Sequence, residues 1–137
     1  MATLATYISF PGTAADAFTF YQQVFGGTLD LMRYSDFPPM EGIPFTPDPN
    51  AVAHAVLTLE SGTIAGGDNA PGEELELRGT AYSLLIEATS VAEAEALIDK
   101  MVAGGGEIAM PFEVAPWGGH YGQVLDPFGV QWAFSVE

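Results

Sequence analysis

The chain ends in the stretch Gly122-Gln123-Val124-Leu125-Asp126-Pro127-Phe128-Gly129-Val130-Gln131-Trp132, which continues as Ala133-Phe134-Ser135-Val136. After the glycine, large apolar residues alternate with small or polar ones, and this alternation predicts a β-strand. Successive strand side chains point to opposite faces, so one apolar set must pack on helices: Val130, Trp132, Phe134 and Val136. Trp132 is therefore predicted as a core residue, and Gln131, Ala133 and Ser135 are predicted to face the other side.

An internal repeat relates this ending to the first half of the chain. A shift of 77 residues places Ala15-Asp16-Ala17 on Ala92-Glu93-Ala94, and a shift of 67 places Ser61-Gly62 on Phe128-Gly129. A period of about 70 residues is too long for solenoid repeats. The repeat predicts one pseudosymmetric domain made of two modules.

The first module begins with a strand at 7–10 and a helix that Thr13 is expected to cap and Gly26 to end. Further strands are predicted at 28–34, 51–60 and 63–67, with a proline-rich loop at 36–50. The second module repeats the pattern with a strand at 82–87 and a helix that starts at a Ser90–Glu93 capping box and ends at Gly104. The predicted boundaries are module one at 1–70, an acidic linker at 71–79 and module two at 80–137.

Composition narrows the possible functions. The 137 residues include 18 acidic and three basic side chains, for a net charge of −15, and such a field repels nucleic acids and anionic membrane surfaces. The absence of cysteine excludes disulfides, thiolate metal sites and cysteine nucleophiles. No apolar run is long enough to span a membrane and no basic flank marks a signal peptide, so we expect a cytoplasmic protein.

Four segments together resemble PhnB-like proteins of the glyoxalase/bleomycin-resistance/extradiol dioxygenase (vicinal oxygen chelate) superfamily: Tyr7–Gly12, Phe20–Gly27, Ala53–Ala55 and Gly122–Trp132. The resemblance implies an α+β fold in which two tandem βαβββ modules form a half-open barrel around a cavity. It also implies a homodimer and a small-molecule ligand.

The resemblance implies that metal-dependent relatives take two ligands from each module, one from its first strand and one from its last strand. Here Ala133 stands at the position of the expected glutamate, and the repeat places Gly66 at the matching position of module one. The other pair falls on Ser83 and on Thr6 or Tyr7. A catalytic divalent cation needs about three His, Asp, Glu or Cys ligands. We therefore expect no metal and no other cofactor, unless a ligand set is displaced along the strands.

Arg33 and two histidines are the polar candidates for ligand binding. Arg33 lies on an apolar strand face, where a guanidinium can bind a carboxylate or phosphate, or can pair with an acid or reach solvent. His54 points to a cavity or to solvent, and His120 is expected at a comparable place in module two. As a pair they could bind a metal or act as acid and base, although each alone is ordinary.

Aromatic residues outside the core complete the candidate site. Tyr7 and Trp117, with Phe37, Phe45 and Tyr121, could line a pocket for an apolar molecule or cover a dimer contact. The leading hypothesis is a homodimeric small-molecule-binding protein that uses Tyr7, Arg33, His54, Trp117 and His120, with no catalytic residue assigned. The alternatives are a divalent-metal-dependent glyoxalase, lyase or dioxygenase-like enzyme using His54, His120 and an acidic neighbour, and a purely structural or partner-binding domain.

Overall fold

The computed structural model describes residues 2–39, 41–73 and 75–137. The chain forms two compact units, Met1–Leu75 and Glu76–Glu137. The first contains β1 (Thr6–Phe10), α1 (Ala14–Phe25), β2 (Thr28–Arg33), a 3-10 turn (Tyr34–Asp36), β3 (Val52–Thr58) and β4 (Thr63–Asp68). The second contains β5 (Leu84–Glu87), α2 (Val91–Ala103), β6 (Glu107–Val114), β7 (His120–Leu125) and β8 (Gln131–Val136).

Each unit is one four-stranded sheet with one helix. The strand order is β1-β4-β3-β2 in sheet one and β5-β8-β7-β6 in sheet two. In both, the first strand pairs in parallel with the last, and the other neighbours are antiparallel. The predicted α+β class with two βαβββ copies is confirmed.

The apolar face of each sheet packs against the helix of the same unit. In the first unit Phe10, Phe18, Tyr21 and Leu57 are fully buried, and the rings of Phe10 and Phe18 meet edge to face at 5.9 Å. In the second unit the fully buried side chains include Met101, Val124, Trp132 and Phe134. The prediction that Trp132 is a core residue is therefore confirmed.

The two helices start differently. Ser90 Oγ accepts a hydrogen bond from the Glu93 amide at 3.1 Å, as the sequence predicts. Glu93 Oε1 accepts from the Thr89 amide at 3.0 Å, one residue before the donor that a capping box uses. The predicted Thr13 cap is wrong. The Thr13 hydroxyl is buried without a hydrogen-bond partner, and Asp68 Oδ1, at the end of β4, accepts from the Ala14 amide at 3.0 Å instead.

The register of the repeat also differs from the sequence alignment. β4 starts at Thr63 and β8 at Gln131, a shift of 68 residues (131 − 63) and not 67. The reason is that five residues separate β7 from β8, whereas four separate β3 from β4. Ala133 therefore corresponds to Ala65. Gly66 faces the helix, because a Cβ there would lie 3.0 Å from the Phe18 ring.

Candidate functional site

The face of sheet one that points away from α1, here called the far face of sheet one, carries two of the predicted site residues. Ala55 is buried on the helix side, so His54 and Val56 point the other way. Val56 pairs with Ala65 and Ala65 with Tyr7, which places Tyr7 on the same face. The rings of Tyr7 and His54 stack with centroids 5.9 Å apart and planes 23° apart.

Gly67 makes room for the Tyr7 side chain. A Cβ at this position would lie 3.3 Å from the Tyr7 hydroxyl and 3.1 Å from the Ala53 carbonyl oxygen. Partial burial raises the pKa of the Tyr7 phenol above its ordinary value, and the nearby Tyr34 phenol raises it further. Tyr7 is thus a neutral hydrogen-bonding group at neutral pH, while 56% of its surface remains exposed for contact.

Arg33 lies at the end of β2, where its backbone amide donates to Asp36 Oδ2 at 2.8 Å. Its guanidinium Nη1 donates to the Asn50 carbonyl at 2.6 Å and so ties β2 to the end of the proline-rich loop. Within residues 2–39, 41–73 and 75–137, no carboxylate forms an ion pair with this guanidinium. Arg33 therefore has a structural contact and keeps unpaired donors.

The proline-rich loop forms a groove of about 370 Å³ in the first unit, a volume within the range of small-molecule sites. Tyr34 and Phe45 meet edge to face in its wall, with centroids 6.2 Å apart and planes at 88°. Phe37 and the prolines supply the rest of the lining: Pro38, Pro39, Pro47 and Pro49. The groove is lined mainly by apolar side chains, and Tyr7 is not part of its lining.

The far face of sheet two, which points away from α2, carries a polar chain. Gln131 Nε2 donates to Gln123 Oε1 at 2.9 Å, and Gln123 Nε2 donates to the Tyr121 hydroxyl at 2.9 Å. Trp117, which is 73% exposed, meets Tyr121 at 5.7 Å and 67°. Sequence reasoning placed Gln131 on this face but missed Gln123, which the alternation of β7 around buried Val124 could have revealed.

The predicted equivalence of the two histidines does not hold. The pairing of β7 with β8 is regular from His120 to Leu125, so His120 lies on the side of Val124 and Phe134. Its ring contacts Phe112 with centroids 5.5 Å apart. His54 points away from the helix of its unit, whereas His120 points toward the helix side, and the two cannot play matching roles.

The residues present do not fit the superfamily metal site. No group of three or more His, Cys, Asp or Glu side chains that could hold a metal ion occurs in the described part of the chain. In the observed register Tyr7 pairs with Ala65 and Leu85 pairs with Ala133, whereas the predicted Ser83 lies before β5. Of the four paired residues, only the tyrosine, as a phenolate, would be a metal ligand of any strength.

Comparison with known proteins fits this fold. A family model described as the Glyoxalase/Bleomycin resistance protein/Dioxygenase superfamily matches residues 3–134. The chain therefore belongs to the glyoxalase/bleomycin resistance/dioxygenase superfamily, and the predicted resemblance is confirmed.

Several relatives cover almost the whole chain. Protein YjdN of Escherichia coli (strain K12) is 29% identical over 143 residues, which span 97% of this chain and 94% of that protein. The crystal structure of PA1353 from Pseudomonas aeruginosa is 31% identical with a TM-score of 0.84, covering 100% of this chain and 98% of that one. A PhnB protein from Bacillus cereus shares the fold at 24% identity and a TM-score of 0.75, covering 99% and 100%. No helix in the described ranges has the length and apolar character required to cross a membrane.

Proposed function

We propose that this protein is a homodimeric small-molecule-binding member of its superfamily that works without the superfamily's metal ion. The ligand binds on the far face of sheet one, over Tyr7 and His54. The observation that carries this proposal is the stacked Tyr7–His54 pair, which presents an aromatic surface beside a backbone cleared of side chains at Gly67. The exposed Tyr7 ring and the partly exposed His54 ring provide a flat contact for an apolar or aromatic molecule at a small cost in side-chain entropy.

Arg33 is the proposed polar anchor, at the edge of the ligand surface: Met32 pairs with His54, so the Arg33 side chain leaves β2 on the opposite side, at the last residue of the strand. It is one of three basic residues in a chain of net charge −15, and its guanidinium keeps donors beyond the one bound to Asn50. A negatively charged protein slows the approach of anions, so the proposed ligand is neutral or mildly anionic and partly apolar. His120 is left out of this ligand surface because its ring packs on Phe112. The proposed location, the cytoplasm, rests on the sequence alone.

The homodimer is proposed from an exposed apolar strand. β6 is an edge strand of sheet two, and Ile108, Met110 and Val114 on it are 48%, 45% and 72% exposed. A second copy would cover these side chains and also protect the unpaired strand edge. Sedimentation at micromolar concentration should give twice 14.5 kDa, and a species of 14.5 kDa would contradict the dimer.

The ligand-binding test compares variants against a library of neutral and acidic aromatic compounds by thermal shift. Tyr7→Ala and His54→Ala should reduce the stabilisation by most hits, because each removes half of the stacked pair. Tyr82→Ala is the matched control, since Tyr82 is 86% exposed and lies outside the regular strands. Equal stabilisation of all four proteins by every hit would refute a site over Tyr7 and His54.

Two further measurements complete the test. Arg33→Met should weaken acidic hits by about 1.5 to 3 kcal/mol, the usual strength of a hydrogen bond to a charged group. Metal analysis of protein purified without chelator should find much less than one equivalent. About one equivalent of zinc, nickel, manganese or iron per chain would favour a metal-dependent enzyme instead.

A further inference from the structure

The two side-chain hydrogen bonds on the far face of sheet two are donated in the same direction. Gln131 donates to Gln123, and Gln123 donates to Tyr121, so both hydrogen bonds run toward the phenol. The Tyr121 oxygen is used as an acceptor, and in the described part of the chain its hydroxyl proton is donated to no protein group. A hydroxyl that accepts a hydrogen bond becomes a stronger donor, because the bonds polarise one another. Tyr121 is thus held with a free, strengthened donor.

The neighbours of Tyr121 in the sheet decide which acceptor fits this donor. Ser135 pairs with Tyr121 across the β7–β8 ladder and adds a second hydroxyl beside it. The same row continues to Glu87, which pairs with Ser135, and to Glu113, which pairs with Tyr121. Both glutamates are exposed. A carboxylate ligand would meet like charge on both sides, whereas a neutral carbonyl would not.

Trp117 supplies the apolar part of the surface. Its ring stands at 67° to the Tyr121 ring, and most of the indole is exposed. A planar ring attached to a carbonyl group can therefore pack on Trp117 while its oxygen accepts from Tyr121.

On the basis of the proposed small-molecule function, we infer that the far face of sheet two is a recognition site for an uncharged carbonyl or amide attached to a ring, with Tyr121 as the donor that Gln123 and Gln131 hold in place. Tyr121 is then the specificity residue of the second unit, and its ligand class is an uncharged carbonyl or amide.

The test uses benzamide and benzoate as matched probes and the indole N–H signals of the two tryptophans as reporters in NMR titrations. The Trp132 indole is a built-in control, since it is buried and donates to Asp126 Oδ2 at 2.9 Å. Benzamide should shift the Trp117 signal saturably and leave the Trp132 signal unchanged. Benzoate should bind about twofold to fivefold more weakly, because repulsion between exposed charges is screened by solvent.

Three variants separate the contributions. Tyr121→Phe should weaken benzamide about fivefold to tenfold, the effect of one lost hydrogen bond, while Tyr82→Phe should leave it unchanged. Gln123→Met should weaken benzamide binding less than Tyr121→Phe does. The Tyr121 hydroxyl remains in this variant and loses only the hydrogen bond that orients it. Glu87→Gln combined with Glu113→Gln should bring benzoate affinity up toward that of benzamide.

Unchanged benzamide binding by Tyr121→Phe, equal or tighter binding of benzoate by the wild type, or no saturable shift at Trp117 would each overturn the inference. None of these outcomes affects the Tyr7–His54 proposal, which is tested with the compound library on variants of the first unit. The two proposals can therefore fail separately. If the Tyr7 and His54 variants lose stabilisation by the library compounds while Tyr121→Phe binds benzamide as the wild type does, the proposed function stands and the Tyr121 site is refuted.

Discussion

In the first unit, Asp68 caps the helix from far away in sequence: its carboxylate accepts a hydrogen bond from the amide of Ala14, 54 positions earlier. The same carboxylate accepts from the amide of Val52 at the start of β3. In the second unit, the helix is capped by its own Ser90 and Glu93. The carboxylate that module two does bury belongs to Asp126. It accepts from the amides of Phe128 and Val130 and from the indole of Trp132.

The two units share one fold, but the hydrogen bonds to their carboxylates span different distances in sequence. Asp68 joins three elements of the first unit, whereas Asp126 stabilises the turn that it belongs to and the strand that follows. Both satisfy backbone donors that would otherwise be buried without partners. We therefore expect the loss of Asp68 to disturb three elements of the first unit, and the loss of Asp126 to disturb one turn and the strand that follows it.

The largest effect is expected from Asp126→Ala. Asp126 is 1% exposed, and the substitution removes a carboxylate that accepts hydrogen bonds from two backbone amides and from the Trp132 indole. We expect a loss of about 3 to 5 kcal/mol of unfolding free energy, measured by urea titration. Trp132→Phe is the partial control, because it removes the indole donor and keeps the two amide donors, although it also shrinks a buried side chain. A loss below about 1 kcal/mol for Asp126→Ala would show that the turn holds without its carboxylate.

Asp68→Ala should have the next largest effect, about 2 to 3 kcal/mol, because two amides lose their carboxylate acceptor at a half-buried site. Hydrogen exchange should locate the damage: protection should fall both at the start of α1 and at Val52. Exchange that increases at α1 alone would mean that Asp68 acts only as a helix cap and would remove the long-range half of the comparison.

The smallest effects come from a matched pair of helix caps. Ser90→Ala should cost about 1 kcal/mol, the usual value of a serine N-cap. Thr13→Val, which keeps the shape and removes a hydroxyl that has no partner, should change stability by less than about 0.5 kcal/mol or increase it slightly. If Thr13→Val lowered the unfolding free energy as much as Ser90→Ala does, the Thr13 hydroxyl would have to cap the helix.

Much of the fold could be predicted from the sequence because its signals are local. Strand alternation, the Ser90–Glu93 box and the glycines after each helix predict elements within a residue or two of those observed. The Thr13 cap failed because a threonine before a helix is a good local signal, and nothing near it in sequence shows that Asp68 takes its place. The repeat register failed because the β7–β8 turn is one residue longer, which exchanges the two faces of a strand.

The candidate site was less accessible to sequence reasoning. Alternation placed His54 on the far face of its sheet, but its contact with Tyr7 depends on the β1–β4–β3 register. The hydrogen bonds from Gln131 to Tyr121 join residues on two strands whose alignment only the structure supplies. His120 shows the converse: a residue placed by analogy with the other module proved to lie on the helix side.

The parallel pairing of first and last strands has a consequence for protein synthesis. In each sheet the strand made last lies in the interior, with β4 between β1 and β3 and β8 between β5 and β7. During translation β1 must therefore remain without its neighbour until Thr63–Asp68 has emerged from the ribosome, and β5 until Gln131–Val136 has emerged. A chain that stops before Gln131 would therefore contain a first unit able to complete its sheet and a second unit that lacks the strand between β5 and β7.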